Sequence, residues 1–369
     1  MHPLPKDDSK AVYGMPHGKY EREFNRLDLQ HEAVKLAFEG LNICSEQVDR
    51  VLDPLGGQKS VLDLGSGSGV WCIEMAERYP HATILGVDIE PQDRSNVPPN
   101  YLFEVWDVNS GLEKFYGRYD LVHTRFTTGV FSNPQAALIE MERCLKPGGL
   151  LIVISGGLLL SEDRKTMYPM YTRENPRGSW FQRSAMAMFL GIKKLGIDAQ
   201  SFEREIDNGL WNHELLDPSS CAAALITVPI GPWPASPDAE EARRLQKLGE
   251  YWRDNALIVH RHWERLHEVS GRSRAEWKLT VRNVDEEVRQ TRHRVAMRMR
   301  AIWGQARGVH SPLSTPSWPP TPSKPHGSFQ IVSIHHSEDE WARMAQEHQA
   351  TITSEMHSFL DVANFDALL

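Results

Sequence analysis

The stretch Ser60–Trp71, SVLDLGSGSGVW, constrains the fold of this chain more than any other. Its first half is an apolar run, typical of a strand covered on both faces, and the run stops at a glycine turn. Gly65, Gly67 and Gly69 lie two residues apart, which suits positive φ angles and lets a ligand lie against the backbone. A helix over about residues 70–79 would point its free N–H groups at that ligand. The pattern predicts a nucleotide-like cofactor site, with an ordinary strand-to-helix turn as the alternative.

An acidic residue follows the next predicted strand. Ala82–Val87 is another apolar run, and Asp88 stands at its carboxyl end. In a parallel sheet this acid is placed to accept hydrogen bonds from both hydroxyls of a ribose. Dinucleotide sites usually carry the order G-x-G-x-x-G. The order here is G-x-G-x-G, which disfavours a nicotinamide enzyme.

The glycine order, with Asp63 two residues before the first glycine, resembles the first motif of class I S-adenosylmethionine-dependent methyltransferases. A narrower resemblance lies in the flanks. Tyr13, Pro16 and EREFNRLDLQH (Glu21–His31) resemble the signature that precedes the cofactor domain in fungal LaeA-like methyltransferases, and VPIGPWP (Val228–Pro234) is similar to a second signature of that family. A KPGG turn stands between them, and the resemblance covers about residues 13–303.

The resemblance implies S-adenosylmethionine as the cofactor. Asp63 would hold its methionine end through water, the glycine backbone would pass the methionine and ribose, and Asp88 would bind the ribose. Asp107 matches the acid that hydrogen-bonds the adenine amino group, although a strand-end Asp that caps a turn is the alternative. The full predicted cofactor set is Asp63, Gly65, Ser66, Gly67, Gly69, Asp88, Ile89, Asp107, Val108, Thr124 and Arg125.

Strands alternate with helices along most of the chain, which predicts a Rossmann-like α/β fold. We expect a seven-stranded, mostly parallel sheet with helices on both faces and a helical lid or insertion. The predicted organisation is a flexible arm over 1–20, a methyltransferase domain over 21–306, a proline- and serine-rich linker over 307–330 and a C-terminal helix within 331–369. Inside the domain, residues 156–218 form an insertion that covers the substrate, and 238–293 form a helical segment.

The predicted activity is methyl transfer to an oxygen, nitrogen or sulfur atom of a small molecule of fungal secondary metabolism. His123 and His31 are the candidate general bases, with packed core histidines as the alternative. Arg125 is a candidate for orienting an anionic substrate. A second hypothesis is a LaeA-like regulatory protein that binds the cofactor and acts through nuclear protein partners, for which the C-terminal helix could serve.

Composition excludes several other classes. The net charge of −8, from 41 basic and 49 acidic residues, argues against a nucleic-acid platform. The longest apolar run, Gly149–Leu160, is shorter than the roughly 20 residues that span a bilayer. The four cysteines are far apart and predict buried thiols in a reducing compartment. No metal site is predicted, and we expect a cytoplasmic protein, with the nucleus as the alternative.

Overall fold

The structure is a computed structural model that describes residues 20–92, 94–127, 130–157, 159–162, 166–196, 199–308 and 329–347. The predicted N-terminal arm up to residue 19 lies outside these ranges. So do residues 309–328 of the predicted linker and residues 348–369 of the predicted C-terminal helix.

A single mixed sheet runs through the described residues, in the order β3-β2-β1-β4-β5-β8-β7-β9, and β6 pairs with β8. Strands β1 to β5 are mutually parallel, whereas β8 is antiparallel to both β5 and β7. The strands are β1 (Lys59–Leu64), β2 (Ala82–Asp88), β3 (Tyr101–Val105), β4 (Tyr119–Arg125), β5 (Leu145–Ser155), β6 (Leu159–Leu160), β7 (Ala222–Ile230), β8 (Val295–Gln305) and β9 (Val332–His335).

Helices cover both faces of this sheet. The helices are α1 (Tyr20–Phe38), α2 (Ser45–Val51), α3 (Val70–Arg78), α4 (Pro134–Arg143), α5 (Trp180–Lys194), α6 (Ala199–Asn208), α7 (Ala239–Val259), α8 (Glu264–Val269) and α9 (Arg274–Arg289). The alternation of side chains along the strands divides the core in two. Val61, Leu121 and Ile152 belong to the core beneath α1 and α3, and Leu62, Val122 and Val153 belong to the core on the opposite face.

The prediction of an α/β Rossmann-like sheet is confirmed, but the strand count is nine and not seven. The seventh strand of the predicted sheet corresponds to β8, where apolar residues alternate with arginines around residues 297–303, and the structure shows that it is antiparallel to its neighbours. The two extra strands are β6, only two residues long, and β9, which lies against β7 at the sheet edge. Both are too short for their apolar pattern to stand out in the sequence.

The predicted insertion contains more regular structure than expected. Its helix α5 was predicted, and the Ser179 side chain caps it by accepting a hydrogen bond from the Gln182 N–H. The sequence analysis missed α6, because only Phe202 and Ile206 mark its apolar face. Both side chains are fully buried in the described fold.

After the predicted linker, the short strand β9 precedes a helix whose described residues are 338–347. Trp341 is 1% exposed, and its indole Nε1 donates a hydrogen bond of 3.1 Å to the Ile206 carbonyl. The described part of this helix therefore docks on the domain, against α6. Within the ranges that the structure covers, none of the helices is long and apolar enough to cross a membrane.

Candidate functional site: the carboxyl edge of β1, β2 and β4

The glycine turn leads from β1 into α3 with positive φ angles at all three glycines. The values are +74° at Gly65, +55° at Gly67 and +75° at Gly69, the last of which precedes the first helical residue of α3. A Cβ at Gly67 would come within 2.9 Å of Leu27 Cδ1, and one at Gly69 within 2.5 Å of the Tyr101 hydroxyl. Glycine is thus required here by both backbone conformation and close contact.

Asp88 reaches the glycine turn directly. Its carboxylate accepts a 2.7 Å hydrogen bond from the Gly67 N–H and a 3.0 Å bond from the Glu90 N–H. Burial raises the pKa of the Asp88 carboxyl, and the two N–H donors oppose that effect. The strand-end acid and the glycine turn, predicted separately, therefore meet in one place.

Helix α1 lies on the turn and is tied to it by Asp28. The Asp28 carboxylate accepts a 2.7 Å bond from the Ser68 hydroxyl and pairs with Arg94 through contacts of 2.6 and 2.8 Å. Arg94 follows β2, so one acid joins α1, the glycine turn and the loop after Asp88. The sequence analysis did not single out Asp28, although it lies inside the EREFNRLDLQH signature.

Gln92 is a second residue that the sequence analysis missed. Its amide nitrogen donates to the Gly67 carbonyl at 2.7 Å and to the Ser66 hydroxyl at 3.1 Å, and its amide oxygen accepts from the Tyr101 hydroxyl. The chain's own side chains therefore pack against the turn. No sequence signal marks this glutamine, because it stands in an irregular, proline-rich loop.

A buried polar cluster lies beside the turn, on the α3 face of the sheet. His123 Nδ1 is 2.7 Å from Asp63 Oδ1, and the His123 ring stacks on Trp71 with centroids 3.9 Å apart. The Cys72 thiol donates to the second Asp63 oxygen at 3.2 Å. His123 and Asp63 are 2% and 4% exposed, and burial lowers the pKa of His123 although Asp63 opposes that shift. His123 and Asp63, which were both predicted as site residues, thus form a hydrogen bond with each other.

His31 and Arg125 form the next pair along the same face. Arg125 Nη2 donates to His31 Nδ1 at 3.1 Å, and His31 Nε2 faces Glu74 Oε1 at 3.3 Å. Burial lowers the pKa of His31 to about 2, with Arg125 adding to the effect. A base with so low a pKa is a poor proton acceptor near neutral pH, so the geometry favours a positioning role for His31.

The remaining predicted cofactor residues lie apart from that cluster. The buried Thr124 hydroxyl donates to the Leu64 carbonyl at 2.9 Å, on the opposite face of the sheet from His123. Asp107 accepts a 2.9 Å bond from the Asn109 N–H and so caps a short turn, while its predicted role toward adenine stays a prediction. Ile89 is 48% exposed, and Val108 begins the turn capped by Asp107.

One group of possible metal ligands occurs among the described residues: His31, Glu32 and Glu74, whose ligand atoms lie within 4.8 Å of one another. The Lys35 ammonium pairs with Glu32 at 3.0 Å and with Glu74 at 2.8 Å. This cation already supplies positive charge to both carboxylates, so we assign no metal here. All four cysteines are free and buried in the structure.

The VPIGPWP segment has a structural basis at the end of β7. Gly231 has a φ of +111°, and its carbonyl oxygen would lie 2.1 Å from a Cβ at Gly249 of α7. Trp233 Nε1 donates to the Val295 carbonyl at 3.1 Å. The signature therefore packs a strand end against α7.

A groove of about 610 Å³ lies elsewhere, between the insertion and the end of α9. None of its lining residues belongs to the predicted site. They are Ser161, Glu162, Thr166, Met167, Tyr168, Pro169, Arg292, His293 and Arg294.

The sheet order, the antiparallel β8 and the glycine turn closed by a strand-end acid form a Rossmann-like fold that agrees with the predicted class I methyltransferase architecture. Its residues fit S-adenosylmethionine. The glycine backbone meets the N-terminus of α3, and Asp88 stands beside it. Residues 37–190 match a family of methyltransferase domains.

Relatives in sequence give a narrower resemblance than the family of methyltransferase domains does. The secondary metabolism regulator laeA of Coprinopsis cinerea is 34% identical over 143 residues, which cover 38% of this chain and 35% of that protein. Methyltransferase pytC of Aspergillus terreus is 28% identical over 244 residues, covering 64% of this chain and 66% of that protein. The chain thus spans between about a third and two thirds of these relatives' lengths. Over part of its length the chain is thus similar both to LaeA-type regulators and to fungal methyltransferases.

A solved structure is similar in outline. The phosphoethanolamine N-methyltransferase 2 of Haemonchus contortus, in complex with S-adenosylhomocysteine, is 11% identical with a TM-score of 0.35. The likeness covers 78% of this chain and 59% of that one. A likeness this distant bears on neither the activity nor the substrate.

Proposed function

We propose that the chain is an S-adenosylmethionine-dependent methyltransferase that acts on a small molecule of fungal secondary metabolism, at an oxygen, nitrogen or sulfur atom. The observation that carries the proposal is the contact between Asp88 and the Gly67 N–H at 2.7 Å. It brings a ribose-binding acid to a glycine turn whose order differs from that of dinucleotide sites.

The proposed cofactor contacts follow from this geometry. Asp88 would accept the ribose hydroxyls, the glycine backbone would lie along the ligand, and Asp63 would bind the methionine end. Asp28, Arg94 and Gln92 would close the turn from the side of α1. When bound, the cofactor supplies an activated methyl group on a sulfonium, so the protein has mainly to position and desolvate the reactants.

His123 has a more restricted role in this proposal than the sequence suggested. Its Nδ1 lies 2.7 Å from Asp63, which fixes the ring, and Trp71 covers one face of it. We infer that His123 orients Asp63 toward the cofactor. Methyl transfer to a thiol or to an already neutral amine requires no base, so this positioning role is sufficient for such acceptors.

The proposal is tested by metabolite profiling of a producing strain with and without this gene. We expect compounds that differ by the mass of one CH2 unit, because a methyl group replaces a hydrogen, and purified protein should restore the methylated form from its unmethylated precursor. A strain whose deletion changes no methylated product would contradict a small-molecule role.

A second function is favoured by the similarity of the chain to a secondary metabolism regulator. Here the chain would bind the cofactor and act through protein partners in the nucleus. The buried Trp341 limits how the C-terminal segment could take part, since that face of the helix is already packed on α6. A pull-down with and without residues 308–369 tests this role, and an unchanged set of partners would reject it for that segment.

A further inference from the structure

Arg125 has different partners from Arg300, the most deeply buried arginine of the described structure. It is the last residue of β4, and its side chain shares a face with His123 and Asp63. Arg300 on β8 is 1% exposed and pairs with two carboxylates, Glu203 and Asp207. None of the ion pairs among the described residues includes Arg125, whose hydrogen bond goes to His31.

Asp63 and Glu74 are the carboxylates that affect the charge of the Arg125 guanidinium most, and both already bind other side chains. Asp63 binds His123 and Cys72, and Glu74 accepts a 2.8 Å bond from Lys35. Burial lowers the pKa of Arg125 to about 10, and both acids counteract that shift from a distance. The guanidinium therefore stays charged at neutral pH while lying in a partly buried position beside the glycine turn.

The structure also holds the guanidinium in place. His31 is fully buried, and its lowered pKa keeps the imidazole neutral, so that Nδ1 can accept the Arg125 hydrogen bond. The other nitrogen, Nε2, then carries the proton and faces Glu74 at 3.3 Å. His31 thus fixes one edge of Arg125, and among the described residues no other side chain forms a hydrogen bond with the guanidinium.

We propose that Arg125 is the receptor for a carboxylate group, that His31 is its positioning residue, and that the carboxylate belongs to the amino-acid end of the cofactor or to the methyl acceptor. This inference rests on the proposed function. A planar guanidinium binds a carboxylate through two parallel hydrogen bonds, which is its most favourable partner.

The charge pattern favours the cofactor as the source. Asp63 and His123 are register partners on the paired strands β1 and β4, and Arg125 stands two residues further along β4. An acid and a guanidinium therefore lie at the ends of neighbouring strands. An α-amino acid carries one ammonium and one carboxylate, so Asp63 and Arg125 complement its two charges.

The test is calorimetric titration of the full chain with two ligands: S-adenosylhomocysteine, and 5′-methylthioadenosine, which lacks the amino-acid end. Arg125→Met removes the charge and keeps the length of the side chain. We expect it to weaken binding of S-adenosylhomocysteine by about 10- to 100-fold and to leave that of 5′-methylthioadenosine unchanged. Arg118→Met, at an exposed arginine just before β4, is the matched control and should change neither affinity.

A second arm tests the acceptor as the source. With S-adenosylhomocysteine saturating, benzoate serves as a carboxylate probe, and its effect on the melting temperature is measured. If Arg125→Met keeps full affinity for S-adenosylhomocysteine but loses stabilisation by benzoate, the carboxylate belongs to the acceptor. If Arg125→Met changes neither response, or weakens both adenosine ligands equally, the proposal is overturned.

The positioning role of His31 has its own readout. His31→Gln retains an acceptor for Arg125, whereas His31→Leu does not. We expect His31→Leu to reproduce the selective loss of affinity seen in Arg125→Met, and His31→Gln to restore most of it. Equal affinities in the two His31 variants would show that His31 does not position Arg125. If Arg125→Met does not fold, Arg125→Lys takes its place. Failure of the unaltered chain to bind either adenosine ligand would instead reject the proposed function.

Discussion

Asp88 is the single residue on which the cofactor assignment depends most. We expect Asp88→Ala to weaken the binding of S-adenosylmethionine about 10- to 1000-fold, because hydrogen bonds to a charged group contribute roughly 1.5–3 kcal/mol each. The change also removes the acceptor of the Gly67 N–H, so calorimetry should be accompanied by a melting curve. The matched control is Glu104→Ala. Glu104 lies on β3 and forms an ion pair with Lys114. Unchanged affinity in a folded Asp88→Ala protein would remove the ribose assignment.

His123 distinguishes positioning from base catalysis. Because its imidazole binds Asp63 and stacks on Trp71, we expect His123→Ala to lower the melting temperature and the affinity for S-adenosylhomocysteine together. His123→Asn, whose amide can still donate to Asp63, should recover part of both. The opposite outcome is a fall in turnover of about 10²- to 10⁴-fold at normal cofactor affinity, which would show that His123 is a base.

At the scale of elements, the contact between α5 and α8 depends on a glycine. A Cβ at Gly191 would lie 2.2 Å from the Leu266 carbonyl oxygen, which no real Cβ tolerates. Gly→Ala in a helix normally stabilises a protein by about 1 kcal/mol. Here we expect Gly191→Ala to cost about 1–3 kcal/mol, because the helices must move apart.

Urea denaturation measures this effect. Gly40→Ala is the matched control, since its Cβ would make only an ordinary contact of 3.5 Å with Ser45 Oγ. A Gly191→Ala protein as stable as the unaltered chain would mean that α5 does not pack this closely on α8. The insertion that is predicted to cover the substrate would then have to be held in place by contacts other than the one between α5 and α8.

The sequence predicted helices and strands well where the apolar pattern agreed with the residues that begin or end such an element. Asn133 and Pro134 are typical residues for the start of a helix, and the Asn133 side chain caps α4 by accepting a hydrogen bond of 3.1 Å from the Ala136 N–H. The meeting of the glycine turn with Asp88 also followed from strand order alone. The clusters around Asp63 and Arg125 did not, because they join β1, β4, α1 and α3, and no local spacing encodes such contacts between distant segments.

Buried neutral histidines control the stability of the whole molecule in acid. Burial is the main cause that lowers the pKa of His31 to about 2, of His267 to about 3 and of His260 to about 4. These side chains are neutral in the folded protein at pH 5, whereas in the unfolded chain they take up protons below about pH 6.5. The unfolded state then binds more protons, so stability falls as the pH is lowered.

We expect the free energy of unfolding to decrease by roughly 2–4 kcal/mol per pH unit between pH 6 and 5, since each such histidine contributes about 1.4 kcal/mol per unit. Asp88 and Glu287, whose carboxyl pKa values are raised mainly by burial, act in the opposite sense and reduce the slope. Urea titrations at several pH values give this slope. His267→Gln should make it shallower, because it removes one of the buried neutral imidazoles. A stability independent of pH over this range would contradict the assignment of neutral buried histidines.

The central claim is that the glycine turn and Asp88 hold S-adenosylmethionine and not a dinucleotide. Isothermal titration of the full chain with S-adenosylhomocysteine, and in parallel with NAD, tests it most directly. The account predicts saturable binding of S-adenosylhomocysteine at one site, weakened in Asp88→Ala, and no measurable binding of NAD. Saturable binding of NAD without binding of S-adenosylhomocysteine would contradict it.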